Sequence, residues 1–157
     1  MSSKESKKAE QERKLFSLFA KENGWPHRLE LIESRSPPEP DILYQTTTGE
    51  VAFELAEICD SDLAAWGARS IAQGGGSAVI WTNDPTDSIV RNKFNKRYES
   101  QFPIELLCYV NGRTVSPDDM ICYGIKDEMA KADRILFRRI WLFGEKNIYT
   151  VFDSVNL

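Results

Sequence analysis

Glu54 is a charged residue in an apolar run, Val51-Ala-Phe-Glu-Leu-Ala56. In a strand, alternation puts Val51, Phe53 and Leu55 on one face and Ala52, Glu54 and Ala56 on the other. Both faces read as covered. A carboxylate on a covered face needs a cation, a hydrogen-bond network or a metal ion. Asp41 is the nearest acid able to join it. It follows Pro40, and the polar turn Thr46-Thr-Thr-Gly-Glu50 folds the two stretches into a hairpin that sets Asp41 roughly opposite the later strand. Two such carboxylates resist ionising together, and a divalent cation between them removes that penalty. Mg2+ (or Mn2+) takes oxygen ligands, commonly one or two carboxylates plus waters. An ion held there can polarise a phosphodiester oxygen and lower the pKa of an attacking water. Without an ion, the same residues would be an ordinary turn aspartate and an edge glutamate in water.

Cations to accompany these acids come from a helix expected over Asp87–Gln101, with Thr86 or Asp87 as N-cap. With Ile89 at 0° and about 100° per residue, Val90, Phe94 and Tyr98 define the buried arc. Lys93 at about 40° and Arg97 at about 80° fall inside it, and Lys96 at about 340° lies at its edge. The alternative for Lys93 and Arg97 is snorkelling past the apolar face to solvent. Glu12, on an earlier helix, lies on the same side as Phe16 and Phe19.

Positioning these groups requires a mixed sheet with helices packed on it. A helix over residues 6–21 carries an apolar stripe of Leu15, Phe16, Leu18 and Phe19, and Asn23-Gly24 ends it. Arg28–Ile32 reads as a short strand, Ser36–Pro40 as a rigid connection, and Asp41–Gln45 with Val51–Ile58 as the hairpin. Leu63–Gln73 reads as a helix stopped by Gly74-Gly75-Gly76, and Ser77–Thr82 as a strand. Ile104–Val110 is a buried strand, Pro117–Ala132 a helix, and Arg138–Phe143 with Asn147–Phe152 a second hairpin. The chain of 157 residues makes one domain, 1–157, with residues 1–7 as a flexible tail.

Composition narrows the chemistry. A single histidine, His27, rules out a His-rich metal site, and Cys59, Cys108 and Cys122 contain no paired CxxC. Gly74-Gly75-Gly76 lacks the Lys-Ser/Thr that follows a phosphate-binding loop. Any catalysis must therefore rest on carboxylates and lysines. The net charge of −4 argues against a surface coated for nucleic acid but leaves room for a local basic site. No apolar run is long enough to span a bilayer, and the N-terminus is polar, so no membrane and a cytoplasmic location are expected. Glu57 faces away from Glu54, and Trp66, Trp81 and Trp141 read as packing residues.

Pro40-Asp41, a Gly-containing turn, and then Glu54-Leu55-Ala56 resemble the PD…(D/E)XK arrangement of restriction-endonuclease-like nucleases. The order helix, strand, PD strand, E-x-K strand, helix, strand also fits, over roughly residues 8–112. The resemblance implies an α/β, restriction-endonuclease-like mixed sheet core flanked by helices. It implies hydrolysis of phosphodiester bonds in DNA, with RNA the lesser alternative. Asp41, Glu54 and Lys93 would be catalytic, and Asp41, Glu54 and Glu12 would hold Mg2+ (or Mn2+). Arg97 and Lys96 would bind phosphate. Many members work as dimers, so a homodimer is the implied assembly. The sequence departs from the motif at its lysine, which is Ala56. Either Lys93 replaces it, or the chain is a catalytically inactive nucleic-acid-binding or regulatory protein-interaction module.

Overall fold

The computed structural model describes residues 3–59, 85–112, 114 and 116–156. Helix α1 (Ser3–Glu22) is followed by a 3-10 turn (Leu29–Leu31), β1 (Ile32–Ser34), β2 (Ile42–Thr46) and β3 (Gly49–Glu57). Then come α2 (Thr86–Asn95), β4 (Ile104–Tyr109), α3 (Asp118–Lys131), β5 (Arg139–Phe143) and β6 (Ile148–Asp153). The six strands form one mixed sheet in sequence order. The β1–β2, β2–β3 and β5–β6 pairs are antiparallel, whereas β3–β4 and β4–β5 are parallel, each spanned by a crossover.

Alternation along β3 sorts the core into two layers. Phe53 and Leu55 point to the α1 side, packing with Phe16, Phe19, Ile42, Tyr44 and Trp141. Ala52 and Ala56 point to the other side, under Val90 of α2 and Ile121 and Ile125 of α3. Strand β4 lies between parallel neighbours and is covered on both faces, so Ile104 through Cys108 are all buried. A central strand with no solvent-facing side holds β3 and its carboxylate deep in the molecule.

Helix α1 ends in a Schellman turn: Gly24 has φ 75°, its N–H donates to the Lys21 carbonyl, and the Trp25 N–H donates to the Ala20 carbonyl. It begins at Ser3, so the tail expected over residues 1–7 is helical from that residue on. The strand expected at Arg28–Ile32 is instead the 3-10 turn with β1 after it. Arg13 explains this, because its guanidinium bonds the Leu29 and Ile32 carbonyls at 2.9 Å and holds the chain in the turn. Helix α2 starts with Pro85 at its N-cap rather than with Thr86 or Asp87. It stops at Asn95, well before Gln101, because Lys96 is extended. Tyr98 then turns inward onto Phe137, with ring centroids 5.8 Å apart, a tertiary contact that outweighs continued helix. The helix expected at Leu63–Gln73 and the strand at Ser77–Thr82 lie outside the described residues, as do Trp66 and Trp81. Among the described residues no helix is long and apolar enough to cross a membrane.

Candidate active site

The β2–β3 register pairs Ile42 with Phe53, so the next step along sets Asp41 across from Glu54, on the face that α2 covers. Asp41 is anchored by its Oδ2, which accepts the Leu55 N–H at 2.9 Å. Glu54 is 1% exposed. Its Oε2 accepts from Lys93 Nζ at 2.7 Å, Tyr98 Oη at 3.2 Å and Lys96 Nζ at 3.4 Å. Its Oε1 is buried and receives no donor among the described residues. The two oxygens of one carboxylate are thus divided between an ammonium side and an unbonded acceptor side.

The neighbouring acid on the strand pair is Asp41, close enough to bond Glu54 when it carries a proton. Burial, then the charges of Glu54 and Glu12, push Asp41 up to about 7. Burial would also raise Glu54, but the hydrogen bond and charge of Lys93, followed by the charge of Lys96, hold it below the usual glutamate value. Any proton the pair holds therefore sits on Asp41, and it can serve the unbonded side of Glu54 only while Asp41 is protonated, below about 7. Glu12 is half-buried on α1 and is raised by burial. Its charge is felt at Asp41, but it does not close a compact triad. Among the described residues, the group of three acids with ligand atoms within 4.8 Å is Asp87, Asp127 and Glu128. Those acids are already neutralised in part: Glu128 pairs with Arg91 at 2.7 Å, and Asp127 with Lys131 at 3.0 Å.

The short helix α2 changes the places expected for its cations. Lys93 lies in the last helical turn and points at Glu54 as its wheel position requires. Lys96 lies just past the helix, with its ammonium 5.3 Å from the centre of the Tyr98 ring. Arg97 is not helical; it is exposed and forms no ion pair with a described residue, so the inward direction expected for it is corrected. Ala56 is buried, and its β4 partner is Cys108. Burial pushes the Cys108 thiol up, and the charge of Lys93 acts on it in the opposite direction.

No family model, curated protein or solved structure matches this chain. The chemistry of the residues themselves has to identify the site. An unbonded buried carboxylate oxygen with a second carboxyl beside it is the kind of oxygen donor set a hard divalent cation takes, and Asp41 and Glu54 are the residues that could hold one here.

Two groups at or near the sheet are absent from the candidate residues drawn from the sequence. Tyr98 reads there as packing, yet its hydroxyl is a donor to Glu54. Glu105 lies in the apolar strand Ile104–Tyr109, the same signal that singles out Glu54, and is equally buried. Trp141, a packing residue by its sequence context, donates its indole N–H to Glu105 at 2.7 Å.

The elevated Asp41 predicts a pH dependence in metal-free protein. Between its ordinary value of 3.8 and about 7, the folded state holds a proton that the unfolded state has released. Stability from this group is complete below that window and is lost as pH rises through it, by about 2–4 kcal/mol. The opposite contribution of Glu54 falls below its ordinary value of 4.5, outside most of the window. Urea melts of wild type should give a lower unfolding free energy at pH 8 than at pH 5.5, and Asp41→Asn should flatten the difference. Equal pH slopes in both proteins would refute the assignment of the proton to Asp41.

Proposed function

We propose that this chain is a metal-dependent nuclease of the restriction-endonuclease-like superfamily that hydrolyses phosphodiester bonds in DNA. The observation that carries the proposal is the unbonded, buried Oε1 of Glu54 beside Asp41, with Lys93 held on the opposite oxygen. The mixed sheet and the element order α1-β1-β2-β3-α2-β4 support the same reading. So does the local charge. Glu12 feels the charges of Lys8 and Lys93, Glu54 those of Lys93 and Lys96, and Asp41 those of the two other acids, which makes three carboxylates against three ammoniums. Adding a divalent cation leaves the site with two surplus positive charges when all three acids are ionised, suited to a phosphodiester.

Asp41 and Glu54 would hold the ion, and Glu12 would act on it from the rim. When bound, Mg2+ or Mn2+ supplies a Lewis acid for a phosphate oxygen and a more acidic water. Asp41 must give up its proton for its carboxylate to serve as a ligand. Lys93, fixed by Glu54, presents its ammonium where charge builds on the phosphate. Lys96 and the exposed Arg97 contact flanking phosphates and give binding without base readout. Ala56 leaves the rung beside Glu54 free for this helix-borne lysine.

Supercoiled plasmid and single-stranded DNA, incubated with Mg2+ or Mn2+, test the proposal. Cleavage should require the metal, cease with chelator and rise with pH as Asp41 deprotonates. Metal-dependent DNA binding without cleavage would instead favour the inactive nuclease-like module that Ala56 suggests.

A further inference from the structure

A second charged network lies on the other face of the sheet, near the β2–β3 turn. Glu105 is 1% exposed. Its Oε2 accepts from Arg138 Nε and Nη2 at 3.0 and 2.7 Å and from Arg139 Nη1 at 3.1 Å, while its Oε1 is held by Trp141. Arg139 Nε has a further partner, Asp153 on β6, at 3.1 Å. The N–H groups of Arg138 Nη1 and Arg139 Nη2 have no acceptor among the described residues. The Arg138 and Arg139 side chains are only 31% and 21% exposed, and they line a cavity of about 250 Å3. Its walls are the Trp25 and Tyr44 rings, stacked at 16° with centroids 6.0 Å apart, together with Val51 and Phe53. Thr47 and Thr48 stand at its mouth.

We propose that this cavity binds a small aromatic carboxylate. Two guanidiniums fixed by one buried acid are preorganised, so a planar anion meets free N–H groups that lose little side-chain freedom on binding. Apolar and aromatic walls with a few convergent polar groups accept a ring. The volume suits one ring system rather than a nucleotide chain. Glu105 and Asp153 together balance the two guanidiniums, so a ligand carboxylate would be held by the N–H groups left over on Arg138 and Arg139 and by their fixed geometry, not by a net positive charge. This site is separate from Asp41 and Glu54, which lie toward the opposite end of β2 and on the α2 face.

Indoleacetate, indole and tryptamine are probes that share a ring and differ in charge. Calorimetry on the full chain should show indoleacetate binding at least about tenfold more tightly than the other two. Arg138→Gln should weaken it by a similar factor, and Thr48→Trp, which fills the mouth, should block it with Arg138 intact. Asp41→Asn should leave it unchanged, which keeps this test independent of the nuclease site. Equal affinity for all three probes would overturn the proposal. So would the absence of heat and thermal shift with indoleacetate up to about 10 mM.

Discussion

Glu54→Gln and Asp41→Asn should each lower metal-dependent cleavage by at least about 10³-fold, because each removes one of two protein ligands. Their effects on stability should differ in sign. Asp41→Asn replaces a carboxyl that burial and neighbouring charge keep from ionising, so at pH 8 the variant should equal or exceed wild type. Glu54→Gln leaves Lys93 and Lys96 facing a neutral amide where they had a buried counter-charge, and should cost about 3–5 kcal/mol. Mn2+ calorimetry should show no binding at this site in either variant. Wild-type Mn2+ affinity in both would remove these residues from the metal site.

Lys93→Met should reduce cleavage by about 10²–10³-fold, the range for loss of one preorganised electrostatic group. Lys96→Met should do far less, since its ammonium is 3.4 Å from Glu54 against 2.7 Å for Lys93. The Lys93 variant should also be less stable without metal, by about 1–3 kcal/mol, because Glu54 keeps only its weaker donors. The decisive double variant combines Lys93→Ala with Ala56→Lys. Position 56 faces the same side as Glu54, and removing the Lys93 side chain frees space near it, so activity should return in part. A double variant no better than Lys93→Ala would show that a lysine from β3 cannot substitute. Full activity in Lys93→Met would remove that lysine from the mechanism.

The hairpin and its carboxylate pair are legible in the sequence because period-two alternation and a polar turn fix which residues share a face. Asp41 and Glu54 come together for that reason, and Lys93 for a similar one, since helical period alone aims it inward. Arg97 departs from its expected place because its direction depends on a helix through Gln101. The contact that ends the helix, Tyr98 against Phe137 and Glu54, joins residues far apart in sequence. The 3-10 turn before β1 depends in the same way on Arg13 reaching across from α1. Glu105 carries the same signal as Glu54, but its partners Arg138, Arg139 and Trp141 are brought to it only by the parallel pairing of β4 with β5. No local pattern announces such a partner. The acid cluster of Asp87, Asp127 and Glu128 is invisible in the sequence for the same reason, since it forms where α2 meets α3.

That cluster is the competing place for a metal ion among the described residues. Crystals soaked in Mn2+ at pH 8 and measured at a wavelength where manganese scatters anomalously would locate the ion directly. A peak is expected within coordination distance of Glu54 Oε1 and an Asp41 carboxylate oxygen, with Lys93 retained on Glu54 Oε2. No peak there, or a peak only among Asp87, Asp127 and Glu128, would rule out a metal site on Asp41 and Glu54.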